Sequence, residues 1–297
     1  MLAAAYPHRG HESASWGRRR EPNDEQRWVA DAPDESVAAY LALWRVHEMQ
    51  FRMDLIVHPV WRGRGLASSL LDFLIEQARG ARATSLQARP YSSSADALRL
   101  LGSRDFRETM RMTGLVLDDV RAVSLEPFAS LDSGFADRGI RVTTLADELE
   151  SDTHSWEKLR DTNQAAQFGW PDPDPRPDGQ PHEEETVDQF RSRSHEFGMI
   201  ADACFIASVT DVYAGYSALT VTDKTVGQAG SGGTAVRPEY RGVGIATALK
   251  ARCVRWAQEH GIRRMVTASG NPAMVHVNEK FGFRRTYTEV RLVKRLA

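Results

Sequence analysis

Residues 236–249 read VRPEYRGVGIATAL, and residues 57–70 read VHPVWRGRGLASSL. Aligned at the offset of 179 that separates Val57 from Val236, the two stretches share seven of fourteen residues: Val, Pro, Arg, two Gly, Ala and Leu. Each copy leaves an apolar strand, passes a glycine turn and enters an amphipathic helix. Glycines let the backbone approach a ligand closely and take φ > 0 where needed. Amides gathered at a helix N-terminus, reinforced by the helix dipole, suit a phosphate group. A repeat at this distance means two related domains, because solenoid periods are far shorter.

Composition agrees with that division. A chain of 297 residues suits two domains on a prior of about 150 residues each. Hydrophobic residues make up 41%, enough for each half to bury a core. The net charge of −2 gives no sign of nucleic acid or an anionic membrane as partner. Cys204 and Cys253 are the only cysteines, which is no disulfide framework and fits a reducing, cytoplasmic setting. The apolar run Leu2–Ala5 is too short for a signal peptide core or a membrane span.

Patterning gives the element order. Residues 1–24 are polar and aperiodic and read as disordered. Strands are expected at 26–32, 37–46, 49–57, 84–88 and 107–117, with helices at 66–78 and 94–101. Residues 118–138 read as a linker between domains spanning 25–120 and 139–297. The second domain then reads as strand 140–144, mostly helical 145–168, helix 186–197, a hairpin about Asp211, and strand 226–236 with four glycines. Helix 245–256, with Ile245, Ala248, Leu249, Arg252, Cys253 and Trp256 on one face, strand 264–268, helix 272–281 and a closing strand or hairpin 284–293 follow. The Pro-rich stretch 169–181 excludes regular structure. The fold class is α/β (α+β): two tandem domains, each a mixed, mostly antiparallel sheet flanked by helices, the first lacking the initial strand and helices.

A strand, Arg241-Gly242-Val243-Gly244-Ile245-Ala246, a helix, then Asn271 and Gly282-Phe283 downstream resemble the GNAT superfamily of acyl-CoA-dependent N-acyltransferases. The resemblance covers nearly all of 139–295 and, with fewer matches, 26–117. It implies acetyl-CoA as co-substrate, with Arg241, Gly242, Val243, Gly244, Ile245 and Ala246 around its pyrophosphate. It implies that the strand carrying Thr234, Ala235 and Val236 splays from its neighbour and pairs with the pantetheine arm. The amide of Ala235 or Val236 would then hold the developing oxyanion. Asn271 matches a residue that contacts the same arm, and it also suits a helix N-cap ahead of Pro272.

Two catalytic groups are not assigned by the resemblance. Where the family often has a tyrosine acid, four residues before Gly282, this chain has Asn278. Either the thiolate leaves unassisted, Asn278 hydrogen-bonds the sulfur, or the domain does not catalyse. The general base is unknown: strand 226–236 has no carboxylate, and Glu239 and His276 read as surface residues. The acceptor side is expected at 150–198 and 284–291. Six acids (Asp172, Asp174, Asp178, Glu183, Glu184, Glu185) face Arg176 there, with Trp156, Phe168 and Trp170 nearby. In the first copy, Arg62, Gly63, Arg64, Gly65, Leu66 and Ala67 repeat the loop, but Asp105-Phe106 replaces Gly-Phe and no downstream Asn follows. The chain is therefore expected to acetylate the amine of a small molecule from the second domain. A non-catalytic CoA-binding sensor or assembly module, or an acetyltransferase of protein amines, are the alternatives.

Overall fold

The computed structural model describes residues 25–33, 35–47, 49–131, 134–167, 184–223 and 227–296. The stretch 1–24 read as disordered, the Pro-rich stretch 169–181, and Phe168, Trp170 and Glu183 lie outside the described residues. Described residues fall into two compact units: 25–112 with 287–296, and 113–167 with 184–286.

The first unit holds β1 (Glu25–Asp31), β2 (Val37–His47), β3 (Gln50–Val57), α1 (Leu66–Gly80), β4 (Ser85–Ala88), α2 (Ala95–Gly102) and the start of β5 (Arg107–Leu117). Strands β1, β2 and β3 pair antiparallel, and β4 joins β3 in parallel. Leu41, Leu43, Phe51 and Met53 of the sheet pack on Leu71, Leu74, Ile75 and Ala78, the i, i+3, i+4, i+7 stripe of α1.

The second unit opens with β6 (Ile140–Thr144), α3 (Leu145–Ser151), α4 (Ser155–Gln167) and α5 (Val187–Glu196). It continues with β7 (Met199–Val209), β8 (Val212–Asp223), β9 (Gln228–Val236), α6 (Ile245–Glu259), β10 (Arg264–Ser269) and α7 (Pro272–Lys280). Capping boxes start α3 (Thr144 with Asp147) and α5 (Thr186 with Gln189). The helical stretch foreseen after β6 is two helices, and the chain's closing element, β11 (Arg284–Arg295), is one strand. Helix α6 buries Lys250, Ala251, Val254 and Ala257 besides Ile245, Ala248, Leu249 and Cys253, while Arg252 is half-buried and Trp256 packs at the edge of the same core, so the helix is covered round most of its circumference.

Each unit is closed by a strand from the other copy's stretch of sequence. Residues 287–295 of β11 belong to the first unit, where Leu292↔Ala88 to Arg295↔Ser85 pair antiparallel with β4. Residues 113–117 of β5 belong to the second, pairing from Ser269↔Thr113 to Met265↔Leu117 with β10. The compact units thus differ from a division of the sequence at 120 and 139. The described residues of 118–138 are also built in: three single 3-10 turns occur at Val120–Ala122, Glu126–Phe128 and Ala136–Arg138. Val120 and Phe135 are buried, and Phe128 stacks on Phe281 at 4.2 Å.

A fragment starting at residue 139 removes the partner of β10 and the Val120 and Phe128 contacts. It is expected to lose near-ultraviolet circular dichroism and cooperative unfolding, whereas a fragment starting at residue 107 keeps both; a sharp melt of the shorter fragment would contradict the exchange.

Candidate functional site

The two glycine loops are superimposable in their local geometry. A 3-10 turn comes first, Pro59–Trp61 or Pro238–Tyr240. An arginine then folds back on the strand it has just left: Arg62 Nε donates to Val57 O, and Arg241 Nε to Val236 O, both at 3.1 Å. Gly63 and Gly65 have φ of 77° and 79°, Gly242 and Gly244 of 81° and 91°. A left-handed glycine opens each 15-residue helix, and no side chain caps either one. A Cβ at Gly63, Gly65 or Gly242 would meet nothing within 4 Å, so the crest of each loop is open to a ligand. Arg241 also donates to Ala166 O at 2.8 Å, tying the end of α4 to the loop. Both guanidinium groups therefore build the loop, and the backbone amides are left to meet an anion. Arg64 stacks on Trp61 at 4.6 Å.

Beside each loop the sheet opens. Strand β9 pairs with β10 only from Gln228↔Arg264 to Gly230↔Val266, though β9 runs on to Val236. Beyond that rung β10 keeps pairing, on its other side, with β5. A V-shaped gap therefore separates residues 231–236 from 267–269. The Arg237 N–H donates to Ala214 O at 2.9 Å. Alternation along an antiparallel strand then turns the N–H and C=O of Thr234 and Val236 away from β8; Val236 O there accepts from Arg241 Nε, and the N–H groups of both residues face the gap. The first unit shows the same opening, with β3 and β4 paired only from Gln50↔Ser85 to Arg52↔Gln87.

The copies differ at one residue of backbone. The β8–β9 register slips between Ala218↔Gly233 and Leu219↔Ser231, leaving Gly232 as a bulge. The β2–β3 register runs unbroken from Arg45↔Phe51 to Ala39↔Val57. A bulge re-aims the strand next to it. Glycine is required here: Gly233 has φ of 124°, and a Cβ at Gly232 would lie 2.8 Å from Thr220 Cγ2. The Tyr216 hydroxyl sits over Gly233, 3.3 Å from where its Cβ would be, and donates to Asn163 Oδ1 of α4 at 2.9 Å. Burial pushes the Tyr216 phenol above its ordinary value, so it remains protonated.

The other sequence-derived candidates take definite positions. Asn271 Oδ1 caps α7 through Ala273 N–H at 2.8 Å. Asn278 is 2% exposed; its Nδ2 donates to Met274 O at 2.8 Å, and its Oδ1 has no partner among the described residues. Glu239 and His276 are exposed. Of the acidic rim, Glu185 is held by Arg193 through two bonds of 2.7 Å. Trp156 packs edge-on against Phe190 and lines a cavity of about 380 Å³ that no residue of β9 borders. Cys204 and Cys253 are fully buried, and burial raises both thiols. Sequence reasoning missed Tyr216, Asn163 and Lys250. Lys250 is fully buried, its Nζ 3.0 Å from Ser231 Oγ, and burial lowers its pKa from 10.5. The one available signal was the run Gly230-Ser231-Gly232-Gly233, since glycine within a strand marks a bulge.

The acetyltransferase (GNAT) family profile matches residues 2–106 and 156–283, more than half of the chain and both copies of the loop. The chain belongs to the GNAT family. It is accordingly an acyltransferase, built as tandem GNAT-like domains. No curated protein matches it in sequence. Among solved structures, a GCN5-related N-acetyltransferase from Sphaerobacter thermophilus is similar at a TM-score of 0.73 and 19% identity, over 99% of this chain and 90% of that one. A tandem GNAT protein from the clavulanic acid biosynthesis pathway is similar at a TM-score of 0.59 and 20% identity, over 93% and 85%. At these identities the similarity speaks to fold. No helix among the described residues is long and apolar enough to cross a membrane.

Two outcomes test this geometry. Gly233→Ala forces an L side chain to φ of 124° and is expected to cost about 1–3 kcal/mol of stability, measured by chemical denaturation; no loss would mean the bulge is not strained. Lys250 carries a lowered pKa in the folded chain, so the unfolded chain binds the extra proton between that value and 10.5. Its contribution is complete above 10.5 and is lost as pH falls through that window. Lys250→Leu should therefore unfold at higher denaturant than the parent at pH 7, with the gap closing towards pH 10; a gap independent of pH would contradict it.

Proposed function

We propose that the chain is an acetyl-CoA-dependent N-acetyltransferase that transfers acetyl directly to the amine of a small molecule, with its active site in the second GNAT-like domain, the sequence copy at 139–297. The observation that carries this reading is the bulge at Gly232 beside the open edge of β9, which the first copy lacks. The domain at 25–120 is then a degenerate partner, and the described residues of 121–138, expected as a connection, are built into the second unit. Two buried, unpaired thiols support a reducing cytoplasm.

The residues fit acetyl-CoA. The loop crest is open, the amides at 242–246 face an uncapped helix start, and the gap offers an unpaired strand edge to an amide-bearing arm. Acetyl-CoA brings the activated acyl group. Gly242 to Ala246 bind pyrophosphate through backbone N–H groups and the dipole of α6. The edge of Thr234 and Val236 hydrogen-bonds the arm, and Val236 N–H polarises the acyl carbonyl. Tyr216, its proton committed to Asn163, offers lone pairs over the bulge, which suits an N–H of an incoming amine. The amine's proton leaves by way of solvent in this reading; the carboxylate within electrostatic reach of the Tyr216 hydroxyl, Glu185, is held by Arg193. Arg241 bounds the approach with the end of α4, which favours a small acceptor over a protein tail.

Calorimetric titration with acetyl-CoA tests the reading. Saturable binding is expected, reduced tenfold or more by Gly244→Asp, whose carboxylate opposes the phosphates, while Gly65→Asp leaves turnover intact. Equal loss of turnover from both variants would remove the asymmetry. Binding without turnover of any amine would favour the CoA-binding module.

A further inference from the structure

Strand β1 of the first unit pairs on one side with β2 and has no strand on its outer side among the described residues. In the second unit the corresponding strand, β7, is flanked there by β6. Phe135 and Ile140, leading into and opening β6, pack with Tyr240, Val243, Ile245 and Ala248. At the offset of 179 those four residues correspond to Trp61, Arg64, Leu66 and Ser69. In the first unit they line, with Ala30 and Ala32, a cavity of about 400 Å³. The two units therefore differ beside the sheet edge as well as at the bulge.

The ladders fix which groups β1 turns outward. The His58 N–H donates to Ala38 O at 2.8 Å, so Ala38, Tyr40, Ala42 and Trp44 turn their backbone groups towards β3. The alternate residues Ala39, Leu41 and Leu43 then bond Ala30, Trp28 and Gln26 of β1. Arg27, Val29 and Asp31 are left with N–H and C=O directed away from β2. Their side chains share the face away from α1, because Trp28 between them packs edge-on against Phe73 of α1. Val29, at the centre of that face, is 57% exposed, and Arg27 is held along it by Glu25 at 2.8 Å.

A free strand edge is a template for another strand, and this one is complementary to itself. A twofold axis through Val29 sets Val29 opposite Val29 of the partner subunit. It sets Arg27 opposite Asp31 of the partner subunit, and by symmetry Asp31 opposite Arg27 of the partner subunit. Each opposed pair can exchange two backbone hydrogen bonds, because all three residues turn N–H and C=O outward. Moving the axis to Trp28 opposes Glu25 to an aspartate, and moving it to Arg27 opposes two guanidinium groups; like charges directly opposite are unfavourable. In the Val29 register, Trp28 falls opposite Ala30 of the partner subunit, on the α1 side and beside the cavity that Ala30 helps to line.

We propose that β1 is a self-association edge: a second copy of this chain adds its own β1, antiparallel and centred on Val29. The first unit thereby joins two chains, a role independent of the acetyl-CoA reading.

Sedimentation of the full chain over a wide range of concentration tests it. A concentration-dependent species of twice 33.2 kDa is expected. Val29→Pro removes an N–H that β2 does not use, so the fold is kept and the dimer lost. Arg27→Asp opposes like charges at both ends of the register and is expected to weaken association about tenfold or more. Asp31→Arg does the same, and the two together restore the dimer, a rescue that loss of folding cannot mimic; this charge exchange covers failure of the proline variant to fold. A chain monomeric at every concentration, or a dimer indifferent to both Val29→Pro and the charge exchange, would overturn the proposal. A dimer that forms only once residues 1–24 are removed would also overturn it, since the edge would belong to that segment. None of these results bears on acetyl-CoA binding.

Discussion

The early end of the β9–β10 ladder governs the rest of this molecule. Two parallel strands that stay paired satisfy each other's backbone groups and leave nothing for a ligand. Here strand pairing stops at Gly230↔Val266, and six residues of β9 continue with no strand on that edge, where Arg241 bonds Val236 O alone. Unpaired backbone donors and acceptors are costly when dry. The gap is therefore tolerable only where water or a peptide-like ligand can fill it. The glycine loop lies at the wide end of the gap, Tyr216 over the bulge, and Lys250 behind the apex.

The bulge distinguishes the copies more sharply than the loop does. Loop geometry is held in both by the same device, an arginine back-bonded to the carbonyl of the strand it leaves. That device concerns folding the turn, and it persists in both copies. The extra residue at Gly232 requires tolerance of φ near 124° at Gly233 and a side chain small enough to clear Thr220. Such strain persists where surrounding structure enforces it, and strained backbone clusters at active sites. The first copy has the gap without the bulge, and Met53 and Leu71 where the second has Ser231 and Lys250.

Much of this was legible in sequence, for identifiable reasons. Apolar spacing fixed the helices that became α1 and α6, because a stripe at helical period has few other uses. The glycine loops were legible because positive φ selects glycine, and the turn at Asp211 because an aspartate between two apolar runs suits a tight turn. Strand exchange was not legible: strands recognise each other through backbone groups that are the same in every residue, so residues 107–117 and 284–295 show what they are but not which sheet they close. Lys250 was overlooked because a lysine on a helix reads as solvent-facing. It lies inside because α6 is buried round most of its circumference, well beyond the stripe read from the sequence. Arg241 was legible as part of the loop but its bonds were not: its guanidinium donates to the carbonyls of Val236 and Ala166.

Hydrogen exchange of the full chain, read by mass spectrometry across residues 50–67 and 228–246 with and without saturating acetyl-CoA, bears most directly on the free edge of β9 as the cofactor seat. Slowed exchange at Thr234, Val236 and the amides of 242–246 is the result expected if that edge and loop close on the ligand. Unchanged exchange across 228–246, or protection confined to 50–67, would contradict it.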